Sequence, residues 1–188
     1  MTRRCAPHGP RSQRGLSLIT ALLFMVAALI LGVSVVGINA MQERMIGNAK
    51  DRDLAMQAAE AALRDAELDI SRNLGSTTVF DAACRHGLCT PPSQRGTPSA
   101  LPVHEQDGFS WVAGDTVRSY GQFTGMPAFP KVAEAPVYVI EKLGSMGVPP
   151  GASVLDPGGS ARTAYRITAR ATGARADTVV VLQSIYAK

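Results

Sequence analysis

From Leu16 to Ile38 the chain runs for 23 positions without a charge or a proline. At about 1.5 Å per residue a helix over that stretch is roughly 35 Å long, enough to cross a hydrocarbon core of about 30 Å. The fourteen residues before Gly15 carry Arg3, Arg4, Arg11 and Arg14 and no acid. Basic residues flanking an apolar helix stay in the cytoplasm, so this leader predicts a cytoplasmic N-terminus and an exported C-terminal part. An apolar run of this length exceeds the 7–15 residues of an ordinary signal-peptide core. Ile38-Asn39-Ala40 nonetheless resembles a small-residue cleavage site, which leaves a secreted domain as one alternative and an uncleaved signal anchor as another.

The formal net charge of +4 is concentrated in the leader. Without those four arginines the remainder holds fifteen basic and fifteen acidic residues. That balance leaves no electrostatic footprint for nucleic acid. Cys5 lies in the leader, which leaves Cys84 and Cys89 as a pair in an oxidising compartment. A disulfide across Arg85-His-Gly-Leu88 is the favoured reading. Zinc held by Cys84, His86 and Cys89 is the alternative, although the spacing is unlike known ligand patterns and no fourth ligand is evident.

Helical character continues past the apolar stretch. Asn39 to Asn73 contains no proline and is rich in good helix formers. Ala55, Ala59, Ala62, Ala66 and Ile70 recur at steps of three or four beside Leu63, an apolar stripe suited to a sheet. Glu60 and Arg64 stand at i,i+4 on a more polar face, and Gly75 suits a C-terminal stop. Gly32-Val-Ser-Val-Val-Gly37 is the weak segment, roughly 4–5 kcal/mol below an all-alanine helix by summed propensities.

The middle of the chain is loop-like, with Thr90-Pro-Pro-Ser-Gln-Arg-Gly-Thr-Pro as its clearest run. Short strands are expected at Phe109–Ala113 and near Val117–Tyr120. Trp111, the single tryptophan, reads as a partly buried anchor of a small core. Val137–Leu143 reads as a strand, and Gly144–Ala161 as a long connection whose Leu155-Asp-Pro-Gly-Gly-Ser160 makes a turn. Tyr165, Ile167 and Ala169 alternate with Arg166, Thr168 and Arg170. With a turn after Thr172 and a return strand over Thr178–Tyr186, they predict a hairpin. The fold expected is α+β, a long N-terminal helix packed on a C-terminal antiparallel sheet. Four segments follow: a leader (1–15), a membrane or filament-core helix (16–38), its continuation (39–73) and a loop-rich region with the sheet (74–188).

Gln13-Arg-Gly-Leu-Ser-Leu-Ile-Thr-Ala-Leu-Leu-Phe24 resembles the class III signal of type IV prepilins. That signal, Ala58-Ala-Glu-Ala-Ala-Leu-Arg-Asp-Ala-Glu67 and the closing Tyr165-Arg-Ile-Thr-Ala-Arg170 and Val179-Val-Val-Leu-Gln-Ser184 together resemble PilX-like minor pilins. The resemblance implies cleavage between Gly15 and Leu16 by prepilin peptidase and N-methylation of Leu16. It implies an inner-membrane, single-pass precursor that later enters a filament. The partners implied are other minor and major pilins and a PilY-type tip adhesin.

One position departs from the pilin pattern. The fifth mature residue, a glutamate in most pilins, is Thr20 here. A hydroxyl offers no charge to a neighbouring subunit's ammonium in a low-dielectric core. This implies a poor repeating unit, placed at or near the tip, where it primes assembly. The twenty-second mature position, often proline in pilins, is Gly37. Gly32 and Gly37 are therefore expected to let the helix extend on assembly. The rival within the class is a type II secretion pseudopilin, and the rival outside it a signal-anchored periplasmic binding or enzymatic domain. No nucleophile elbow, phosphate loop, acid/base pair or metal-ligand cluster stands out, so neither an enzyme, a cofactor nor a metal site is expected.

Overall fold

The structure is a computed structural model that describes residues 16–96, 101–112, 114–146 and 162–188, without the side chains of 34–40 and 146. Gly15, the leader and the 155–160 turn lie outside those residues. The chain divides into two compact units, 1–47 and 48–188.

Helix α1 runs unbroken over Leu16–Asn73 and contributes to both units. In the first unit it is dominated by Leu, Ile, Ala and Val, which have no polar side chain to compete for the backbone. In the second unit its alanine stripe is in the expected phase. Ala55, Ala59, Ala62, Ala66 and Ile70 are fully buried, and Ala58 joins them. Glu60 and Arg64 are exposed on the other side.

Strands β1 (Leu88–Cys89), β2 (Arg118–Ser119), β3 (Val137–Met146), β4 (Arg162–Thr172) and β5 (Val179–Ala187) form one sheet. Its order is β1-β3-β4-β5, with β2 also on β3. The β3–β4 and β4–β5 pairs are antiparallel, as the alternation predicted. β1 adds a parallel two-residue pairing to Ile140 and Glu141. Its neighbour β2 pairs antiparallel with Val137 and Tyr138. No strand forms over 109–112. Phe109 and Trp111 still turn toward the core, because apolar residues two apart can face one way without a hydrogen-bonded ladder.

Strand β3 is buried on both faces over Val137–Glu141. Against α1 lie Tyr138, Ile140, Tyr165, Ile167 and Ala169, packed on Ala62, Ala66, Ile70 and Leu74. Alanine at the contact lets the helix backbone approach the sheet closely, so the large sheet residues fill the space. On the opposite face Val137 and Val139 are covered by Cys84, Cys89, Val103 and Val117, with Phe109 and Trp111 at the margin. The loop-rich middle of the chain is thus the second layer over β3.

Candidate functional site

The first candidate is the apolar surface of α1. Leu16–Val33 is long and apolar enough to cross a membrane, and none of it is buried within the chain. Leu18, Phe24 and Val33 are each more than 70% exposed. An apolar surface this continuous requires a membrane or protein partner. Thr20 sits within it. Its hydroxyl donates to the carbonyls of Leu16 at 3.1 Å and Ser17 at 3.0 Å. The hydroxyl proton is thus spent inside its own helix, and no charge stands at this level of the surface. Gly32 meets no atom within 4 Å where a Cβ would be. At Gly32 and Gly37 the backbone is α-helical.

The second candidate is a set of buried carboxylates on α1 that hold the loops of the second unit. Asp69 is fully buried and pairs with the nearly buried Arg118. It also accepts from Tyr138 Oη at 3.2 Å and Asn73 Nδ2 at 2.8 Å. Burial, and next the Asp69 charge, push the Tyr138 hydroxyl far above its ordinary range, so it stays a donor. Asp65 accepts the Gly121 N–H at 2.8 Å and the Thr124 hydroxyl. Asp51 accepts the Ala174 N–H at 2.7 Å in the β4–β5 turn and Arg175 Nε at 3.3 Å. A bond from the Thr178 hydroxyl, then the Ala174 and Arg175 contacts, hold the Asp51 carboxyl below its usual 3.8 against the opposing effect of burial. Gly173 is required beside it, since a Cβ would lie 2.7 Å from the Asp51 carbonyl oxygen.

Cys84 and Cys89 are joined in a disulfide. Both thiols are spent in that bond, which removes the ligands of the zinc alternative. The enclosed loop is tight: Cys84, His86 and Gly87 all have positive φ. Gly87 is needed because a Cβ there would sit 2.9 Å from the Arg118 backbone nitrogen. Arg118 Nε donates to the His86 carbonyl at 2.6 Å, and its guanidinium lies 4.0 Å from the Phe123 ring centroid. One arginine therefore ties the disulfide loop to Asp69 on the helix. The helix end is closed by Lys188, whose Nζ donates to the carbonyls of Ile70, Ser71 and Leu74 at 2.6–3.0 Å. Gly75 follows the end but is not in the left-handed conformation of a glycine cap.

Sequence reasoning missed the acids. The signal was present: Asp51 precedes Ala55 by four, and Asp65 and Asp69 follow Ala62 and Ala66 by three, in phase with the buried stripe. Thr20, Gly32 and Gly37 share the first helix segment, whereas Cys84 and Cys89 belong to the second unit, so the predicted residues form two separate groups.

A helix that is apolar at its start and continues into an alanine-faced segment against a mixed sheet, antiparallel apart from the short β1–β3 pairing, defines a pilin-like α+β subunit. Residues 85–188 match the family model of the type IV pilus assembly protein PilX C-terminal region, and residues 14–64 match that of the PilX N-terminal region. The chain belongs to the PilX family and is a component of a type IV pilus, in a family whose members are structural rather than enzymatic. No curated protein and no solved structure matches the chain.

Proposed function

We propose that this chain is a minor pilin that primes pilus assembly at or near the filament tip. Thr20 carries the reading. A repeating subunit needs a carboxylate at this level of the helix to neutralise the adjoining subunit's N-terminal ammonium in a medium where an unpaired charge is costly. Thr20 carries no charge, and its proton is directed to Leu16 and Ser17. Such a subunit fits where a full ring of neighbours is absent, which is the end of the filament.

The rest of the cycle follows from the same helix. The basic leader keeps the N-terminus cytoplasmic while the C-terminal unit is exported. Prepilin peptidase cuts after Gly15 and methylates Leu16. The 16–38 segment holds the precursor in the inner membrane until extraction, and 39–73 carries the C-terminal unit. In the filament the weak Gly32–Gly37 segment extends; continuous α-helix through Gly37 in filament density would contradict that. At the tip the partners are other minor pilins and a PilY-type adhesin. Replacing Thr20 with Glu tests the placement: immunogold label on the C-terminal unit is expected to move from tips to filament shafts. Label unchanged at the tips would remove Thr20 from the account.

A further inference from the structure

Trp111 does more than anchor the layer over β3. Its indole is braced edge-on by Phe109, with centroids 5.1 Å apart and planes at 80°, and meets the His104 ring in a tilted contact at 5.8 Å and 54°. Part of it lines a groove of about 380 Å³ with Val112, Glu134, Ala135, Val137 and Arg170. That volume lies within the range of small-ligand sites, about 300–1,000 Å³. Val112 is 74% exposed at its edge. Among the lining residues Arg170 Nη1 donates to Glu134 Oε2 at 3.2 Å. This pair leaves Glu134 Oε1 and further Arg170 N–H groups without a hydrogen bond among the described residues.

The groove therefore offers three things together: a rigid aromatic plane, a carboxylate acceptor and a guanidinium donor. The two charges cancel, so the wall favours neither anion nor cation. It favours a neutral group that donates and accepts at adjacent positions, as vicinal hydroxyls do. The indole requires a flat apolar face on the same molecule. A pyranose ring has both, with C–H bonds on one face and hydroxyls around its rim. We propose that this groove binds one ring of a neutral saccharide. The ring stacks on Trp111, one hydroxyl donates to Glu134, and its neighbour accepts from Arg170. A glycan on a cell surface and a glycan on an adjoining filament subunit present the same ring.

Trp111 is the only tryptophan, so its emission reports the groove directly. The full chain in a zwitterionic, sugar-free detergent is titrated with neutral hexoses and disaccharides. The expected result is a saturable change in emission in the millimolar range. Glu134→Gln and Arg170→Gln each weaken it about tenfold or more, the loss of a hydrogen bond to a charged group. Trp111→Phe keeps an aromatic plane and retains binding by calorimetry, whereas Trp111→Leu loses it. Titration with surface glycans and with glycans released from purified filaments then names the source, and saturable binding of either supports the site. The proposal is overturned by no saturable response across the panel, or by an undiminished response in the Glu134→Gln/Arg170→Gln double variant. It is equally overturned if a photocrosslinker at position 112 captures a neighbouring subunit while no saccharide binds.

Discussion

Asp69 and Glu141 are both fully buried acids, yet they act on stability in opposite directions. Asp69 is surrounded by donors, Arg118, Tyr138 and Asn73. Asp69→Ala leaves the Arg118 charge buried without its partner and is expected to cost about 3–5 kcal/mol, read from denaturant unfolding of the full chain. Among the described residues Glu141 accepts from the Val103 N–H at 3.3 Å and faces the Arg166 guanidinium at 3.6 Å, with the Arg95 charge as a lesser influence. Burial outweighs them and pushes its carboxyl above the usual 4.5. The folded state therefore holds that proton more tightly than the unfolded one. The stabilisation by the protonated acid is complete below about pH 4.5 and is lost as pH rises through the folded value. Glu141→Gln, which stays neutral, should raise the thermal midpoint by a few degrees at pH 7 and leave it nearly unchanged below pH 4. A lower midpoint at pH 7 would show that the Arg166 contact outweighs burial.

Among the elements, α1 and the β4–β5 hairpin are the parts most legible in the sequence. Their periods of 3.6 and 2 are set by burial against each other, and local spacing records that directly. Alternation extends to β5, where Val180, Leu182 and Tyr186 turn inward and Val179, Val181 and Ile185 outward. The layer over β3 was not legible in the same way. Its path depends on partners far along the chain, such as Asp65 for Gly121 and Asp69 for Arg118. Glycines and prolines mark where that layer turns without saying onto what. The disulfide is the one covalent tie in it, and Cys84–Cys89 closes a loop of sequence separation 5. A loop that short removes little chain entropy, so Cys84→Ser/Cys89→Ser is expected to cost about 2 kcal/mol by the loop-entropy relation. The measurement is the unfolding midpoint with and without reductant. A reductant-sensitive parent and an insensitive double variant of lower midpoint are expected.

At the scale of the whole molecule, the chain joins an apolar helix surface, exposed over Leu16–Val33, to a C-terminal unit whose loops are tied to the same helix by Asp51, Asp65, Asp69 and Lys188. The PilX family match assigns this arrangement to a type IV pilus. Processing between Gly15 and Leu16 is a proposal that rests on the basic leader, the glycine and the apolar helix that follows. At Thr20 the sequence shows a missing charge, and the bonds of its hydroxyl to Leu16 and Ser17 needed three dimensions. The central claim is that this chain enters a filament as a processed pilin. The mass of the mature N-terminal peptide, from cells with and without prepilin peptidase, tests it most directly. The account predicts a peptide beginning at N-methylated Leu16, found only when the peptidase is present. A start at Met41, or an intact leader in both strains, would contradict it.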